Sequence, residues 1–184
     1  MFGRSSQSSA AAELPITRRQ GVLALALVTG LTETGTGIGG APEVRVGLHV
    51  KGPDFAFDTA ARLLAGESRR ATLDAGKIVV LVDPATHSIQ IDWARSGLVN
   101  GLVPARFTLA GDDTTYDLSG QTGPLMEIFQ ALWASGASLN RAVDAQYDPA
   151  LRGQLERIIR RAATERPAQD STATPEGPAP ETRG

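Results

Sequence analysis

The sequence predicts an α+β fold: a small, mostly antiparallel sheet, made of two hairpins and an N-terminal strand, that is covered by helices. Apolar and polar residues alternate at a period of two in much of the first half of the chain, and the period lengthens to that of a helix from Thr122 onward. Turn residues between successive strands indicate hairpins, which make antiparallel pairs. We therefore expect one domain over residues 43–164, a leader over residues 1–41 and a disordered tail over residues 165–184.

Composition excludes several classes of site. The 184 residues include 18 Lys plus Arg and 20 Asp plus Glu, and a net charge of −2 gives no field that would attract nucleic acid. The chain has no cysteine and two histidines. Disulfides, thiolate metal sites, thiol nucleophiles and multi-histidine metal centres are therefore excluded. We expect no cofactor, no metal and no nucleic-acid partner.

The leader is interpreted as an export signal. Residues 1–16 are small and polar, and the pair Arg18 and Arg19 precedes an apolar block over residues 21–31. This block is roughly half of the 20 apolar residues that a membrane-spanning helix needs. The segment Thr17-Arg18-Arg19-Gln20-Gly21-Val22-Leu23 resembles the twin-arginine export signal. The resemblance implies Arg18 and Arg19 as targeting residues, the export machinery as a partner, and a periplasmic or secreted location.

Two alternatives stay open for the apolar block. Pro42 follows the small residues 39–41, and signal peptidases disfavour such a site. An uncleaved form would stay tethered to the membrane through residues 21–31. In the other alternative, residues 20–31 form a buried helix of a cytoplasmic protein.

The strands of the domain are predicted from alternation, β-branched runs and turns. A continuous β-branched run such as Ile78 to Val82 is typical of a strand covered on both faces. The predicted strands are residues 44–51, a hairpin of residues 77–83 with 88–93, and a second hairpin that joins Phe107 and Leu109 to Tyr116 and Leu118.

The helices are predicted from apolar stripes and capping residues. Asp148 and Pro149 suit the start of the clearest one, which runs to about residue 164. Residues 67–76 are expected to be a polar connection and residues 95–104 a packed loop. The other predicted helices are residues 55–65, a helix from Thr122 that ends near Gly136, and a short one over residues 138–146.

Histidine, aspartate and glycine patterns give weak candidates for chemistry. Asp83 and His87 share a turn, but no serine elbow accompanies them, so a solvated turn is favoured over acid–base work. His49 is expected on a polar strand face. The other candidates are Asp112, Asp113 and Asp117, as oxygen ligands for calcium or simply a hairpin turn, and Gly35, Gly37 and Gly40, which satisfy G-x-G-x-x-G but are interpreted as a linker.

The last predicted helix gives a candidate contact surface. Its four arginines would stabilise the helix itself or meet an acidic partner or anionic lipid. Aromatic and Met side chains of the preceding helix are expected to be core, with a ligand groove as the alternative. The residues concerned are Arg152, Arg157, Arg160 and Arg161 in the first set, and Met126, Phe129 and Trp133 in the second.

These features predict a protein-binding module without evident catalytic chemistry. Of the 18 cationic residues only Lys51 and Lys77 are lysine, which suggests a high-GC bacterial coding sequence. The leading hypothesis is an exported accessory protein of the bacterial envelope that acts on an unidentified protein partner. The alternative is a cytosolic subunit of a multiprotein assembly, and a hydrolase that uses Asp83 or His87 has the least support.

Overall fold

A computed structural model describes residues 21–109, 114–137 and 148–165 of the chain. Strands occur in groups of two or three between the helices, and neighbouring strands pair antiparallel, which is typical of the predicted α+β class. The described elements are β1 (Val22–Ile38), β2 (Ala41–Lys51), β3 (Ala56–Leu64), α1 (Glu67–Asp74), β4 (Lys77–Val82), β5 (Ile89–Asp92), α2 (Trp93–Val99), β6 (Arg106–Thr108), β7 (Thr115–Asp117), α3 (Thr122–Ala134) and α4 (Pro149–Glu165).

The main sheet has five antiparallel strands in the order β3-β2-β1-β4-β5, and β6 and β7 form a separate hairpin. Both predicted hairpins are present, as β4 with β5 and as β6 with β7. The strand predicted over residues 44–51 is β2. The α+β class with an antiparallel sheet and helical cover is thus confirmed.

The apolar block near the amino terminus is the first half of β1, the central strand of the sheet. Ala26 is fully buried and lies between Val50 of β2 and Ile78 of β4. The alternative of a buried helix over residues 20–31 is therefore wrong in its secondary structure. A strand that is covered on both faces has a continuous apolar sequence, which the hydrophobic period does not distinguish from a helix or a signal core.

The predicted helix over residues 55–65 is also wrong, because this segment forms β3. Gly52 donates its N–H to the carbonyl of Phe55 at 2.9 Å, so β2 turns directly into an antiparallel partner. Phe57 lies on the half-buried face of β3, and Asp58 lies on the exposed face. The alternation of exposed and half-buried side chains has a period of two, and small alanines on both faces concealed it in the sequence.

Two segments expected to be irregular contain short helices. The polar connection at residues 67–76 forms α1, and the expected loop at residues 95–104 begins with α2. The carboxylate of Asp92 accepts the N–H of Arg95 at 2.9 Å and so caps α2. Helices of seven or eight residues leave little periodic signal, and the glycines nearby favoured a loop.

Two separate cores lie on the two faces of the sheet. One face, which we call the inner face, buries Val46 and Val80 with Leu73 of α1. Across this face, Phe57 of β3 stacks on His87 of the β4–β5 turn, with ring centroids 4.4 Å apart. The contact brings opposite edges of the sheet together, so the sheet is curled around its inner core.

The other face is covered by α3, α4 and the β6–β7 hairpin over its β1 and β4 strands. Leu23 and Leu81 of the sheet join Phe129 of α3 and Ile159 of α4 in this second core. The two predicted amphipathic helices are confirmed as α3 and α4. The predicted helix over residues 138–146 and the predicted tail beyond residue 165 lie outside the described residues.

The targeting residues Arg18 and Arg19 also lie outside the described residues, and their role stays a prediction. Their neighbour Gly21 accepts a hydrogen bond at its carbonyl from the indole N–H of Trp133, at 3.0 Å. The start of β1 is therefore attached to α3 as well as to β4.

Candidate functional site

An apolar groove opens beside the β5 edge of the sheet. Leu23 and Leu81 from the sheet, Trp93 and Ala94 from the start of α2, and Trp133 from α3 border it, and its volume is about 450 Å³. The groove exists because α2 begins directly after β5 and turns the chain over the same face that α3 covers. With Gln90, Ile91 and Asp92 of β5, it joins residues from five elements that are distant in the sequence.

Arg95 lies behind the groove and contacts two residues that border it, Asp92 and Trp133. Its guanidinium forms an ion pair with Asp92 and lies over the rings of Phe129 and Trp133, at 5.6 and 5.9 Å from their centroids. Only 13% of the Arg95 side chain is exposed. Arg95 is thus engaged by a carboxylate and two aromatic faces and packs against Trp133 rather than serving as a free ligand.

The β5 edge beside the groove has outward-facing backbone groups. Asp83 donates its N–H to the carbonyl of Ser88 at 3.0 Å, which identifies this pair as hydrogen-bonded. Hydrogen-bonded pairs alternate along an antiparallel ladder, so Gln90 and Asp92 bond toward β4. The N–H and carbonyl groups of Ile89 and Ile91 therefore point away from the sheet.

The histidines occupy structural positions. His49 lies on the outer face of β2 as expected, with Nδ1 at 2.7 Å from a carboxylate oxygen of Asp58 on β3. His87 has a left-handed backbone with φ of 57° and stacks on Phe57. Asp83 accepts the N–H of Ala85 at 2.9 Å and so caps the turn rather than activating His87. Asp83 and His87 thus form a turn, the interpretation that the sequence favours over acid–base work.

Of the turn aspartates, Asp117 is described and Asp112 and Asp113 are not. Asp117 accepts the N–H of Ser119 at 2.9 Å and lies 3.6 Å from the Arg106 guanidinium. Hydrogen bonds from Ser119, with a smaller contribution from Arg106, hold the pKa of Asp117 below its ordinary value. This carboxylate is therefore engaged in closing the β6–β7 hairpin.

The arginines of α4 make different contacts, and their role in binding a partner stays a prediction. Arg161 makes two hydrogen bonds of 2.7 Å to the carboxylate of Glu127 on α3, and this contact raises the pKa of Arg161. Arg160 donates to the hydroxyl of Tyr116 at 3.4 Å. Arg157 donates to a backbone carbonyl of its own helix, and Arg152 is half-buried. Two of the four predicted contact residues thus connect α4 to its neighbours.

The G-x-G-x-x-G pattern lies in a β-hairpin between β1 and β2, so its interpretation as a linker is wrong. A Cβ at Gly37 would lie 2.6 Å from the carbonyl oxygen of Ala41 on the facing strand, so close pairing requires glycine there. Thr34 and Thr36 donate to the Glu43 carboxylate at 2.6 and 3.0 Å, and these bonds lower the pKa of Glu43.

Sequence reasoning found one residue of the groove. Met126 and Phe129 are buried core residues, as favoured, and Trp133 is half-buried and borders the groove. Sequence reasoning does not find Trp93 and Arg95, because the pattern of this stretch predicts the end of a strand and a loop. The Asp92 capping residue three positions before Arg95 is the signal that identifies the helix start.

A metal cluster and a membrane-spanning helix are both absent from the residues that the structure describes. No three His, Asp or Glu side chains come together there as metal ligands. None of the helices described is both long and apolar enough to cross a membrane. No family model, curated protein or solved structure matches the chain.

Proposed function

We propose that this protein is a binding module that holds an extended apolar segment of a partner protein in the groove beside β5. The observation that carries the proposal is the combination of an open strand edge with an apolar groove next to it. Ile89 and Ile91 offer main-chain groups, and Trp93 and Trp133 offer apolar surface. Strand addition uses main-chain hydrogen bonds for affinity and adjacent pockets for selectivity.

The chemistry of the groove favours contact over catalysis. Among its described lining residues, the carboxylate of Asp92 is already engaged by Arg95 and by the N–H that begins α2. Gln90 adds an amide, and the other lining residues are apolar or small. Tryptophan at the border of an apolar groove is typical of protein contact sites, because its ring buries a large area and its N–H finds a polar partner.

The position of β1 bears on the choice between the two predicted roles of this module, a subunit of an assembly and an exported protein. We favour a subunit of a multiprotein assembly over an exported accessory protein of the envelope. Leu23 is 2% exposed and pairs with Leu81, and cleavage near Ala41 would remove the central strand. Amino-terminal sequencing of the native protein tests this preference: a start before residue 22 supports it, and a start near Ala41 or Glu43 overturns it.

The groove proposal is tested with a displayed library of short random peptides and the purified full chain. The sequence has two tryptophans and both border the groove, so a peptide in the groove shifts the intrinsic fluorescence. The variant Ala94→Arg places a long charged side chain at an exposed lining position. We expect this variant to bind the selected peptides about tenfold more weakly or worse, because a bound peptide would have to desolvate the new guanidinium.

The matched control is Ala163→Arg, which adds the same side chain at an exposed position of α4 away from the groove. We expect it to bind like the unmodified chain. Peptides that bind without a fluorescence change, or that bind both variants equally well, would overturn the proposal.

A further inference from the structure

We propose that two copies of this chain pair through their β3 edges, antiparallel and centred on Ala60, so that their sheets join. This inference does not depend on the groove, which lies beside the opposite edge strand. It rests on the backbone directions, the charges and the apolar residues of Ala56–Leu64.

In β3, the main-chain N–H and carbonyl groups that do not bond to β2 belong to the even-numbered residues. Gly52 bonds to Phe55, and Ala65 donates its N–H to the carbonyl of Pro42 at 2.9 Å. These two contacts fix the alternation, so odd-numbered residues bond toward β2 and even-numbered ones point outward. The carbonyl of Leu64 follows this rule, because it accepts the side chain of Arg69 at 3.2 Å.

The outward groups of three residues in the middle of the edge are available for pairing. No hydrogen bond to the main chain of Asp58, Ala60 or Arg62 from outside the strand ladder is found among the described residues. An open edge of this length is a template for another strand unless its side chains prevent it. Neither proline nor a bulge interrupts β3.

Charge complementarity selects a second copy of this chain as the occupant. In antiparallel pairing about Ala60, Asp58 of each copy lies directly opposite Arg62 of the other. The two-fold symmetry forms this contact twice. Both residues of each pair have main-chain groups that point away from β2, so they can hydrogen-bond across the new edge. Opposite charges at facing positions stabilise a strand pair, and like charges destabilise it.

Other registers lose this match. Sliding the second strand by two residues in either direction places both charges opposite uncharged residues, namely Ala60 with either Ala56 or Leu64. Sliding it by four places Asp58 opposite Asp58 or Arg62 opposite Arg62. A slide by one or three residues places main-chain groups that point away from β2 in one copy opposite groups that already bond to β2 in the other. The register centred on Ala60 therefore combines backbone pairing with opposite charges.

The two faces of β3 also favour this register. Arg62 faces Arg45 of β2 within each copy, a repulsive arrangement that a neighbouring Asp58 would relieve. On the inner face, half-buried Phe57 would lie opposite half-buried Leu63 of the second copy. The joined edge would thus bury apolar side chains on one face and pair charges on the other.

The test is the mass of the full chain in solution, measured by light scattering and sedimentation over a range of concentrations. We expect a reversible dimer of the 19.3 kDa chain. Ala60→Pro removes an outward N–H and leaves the bonds to β2 in place, so it should leave a folded monomer. Arg62→Asp creates two repulsive pairs and should weaken dimerisation by about tenfold to a hundredfold.

Charge exchange tests the register itself. The double variant Asp58→Arg/Arg62→Asp restores both opposite pairs and should restore the dimer, while Arg157→Asp, the matched charge change on α4, should dimerise normally. Circular dichroism confirms that each variant is folded. A monomeric unmodified chain, a dimer that survives Ala60→Pro, or a failure of the double variant to recover would each overturn the proposal.

Discussion

At the residue scale, Ser96 satisfies buried backbone groups between β4 and α2. Its hydroxyl accepts the N–H of Val79 at 2.8 Å and donates to the carbonyl of Asp92 at 2.6 Å. Ser96 is fully buried. We expect Ser96→Ala to lower the free energy of unfolding by about 2–3 kcal/mol, because the Val79 N–H is left unsatisfied inside the core.

Urea unfolding of the purified chain measures this loss. Ser135→Ala is the control, because the Ser135 hydroxyl also bonds to a carbonyl, that of Leu132, but the residue is exposed. Equal effects of the two substitutions would contradict the role assigned to Ser96.

Asp117 gives a pH dependence with a defined sign. Its pKa in the folded chain is lowered by hydrogen bonds from Ser119 and then by Arg106. Its contribution to stability is therefore present above the pKa of the unfolded chain and is lost as the pH falls through the folded pKa. We expect Asp117→Asn to cost about 1 kcal/mol or less near neutral pH, because the side chain is partly exposed.

Thermal unfolding as a function of pH checks this expectation. The difference in melting temperature between Asp117→Asn and the unmodified chain should shrink as the pH falls below the ordinary pKa of aspartate. A difference that is the same at neutral and acidic pH would show that the charge of Asp117 is not what stabilises this end of the β6–β7 hairpin.

At the element scale, Arg161 attaches α4 to α3. The Arg161–Glu127 pair is about half exposed, with 49% and 48% of the side chains accessible. Arg161→Ala should therefore lower the free energy of unfolding by a small amount, because solvent screens an ion pair on the surface. Arg157→Ala should change it little, because Arg157 bonds within its own helix. If chemical unfolding showed that both substitutions lower the free energy of unfolding equally, the contact between Arg161 and Glu127 would not be the source of the stability.

Long amphipathic helices and hairpins could be predicted from sequence, and central or short elements could not. The helix α4 has a clear stripe that includes Leu155 and Ile159, and β4 and β5 flank a clear turn. Residues 22–31 were ambiguous because burial on both faces removes the alternation. Residues 56–64 were ambiguous because alanine fits both periods and pairing with β2 is a tertiary effect.

At the scale of the whole molecule, the groove and the curl of the sheet depend on contacts between distant residues. Trp133 meets residues 21–23, and His87 meets Phe57. Local patterns carry no information on such contacts, so the sequence suggested Trp133 as a candidate without its partners. The placement of β1 between β2 and β4 brings these regions together.

The central claim is that Val22–Ile38 is the middle strand of the folded protein. It is tested most directly by unfolding two truncated chains, one that begins at Gly21 and one that begins at Glu43. The longer chain should keep the cooperative unfolding of the full protein. The shorter chain should lose it, because β2 and β4 lose their shared partner. A chain from Glu43 that unfolds cooperatively with undiminished stability would contradict this account.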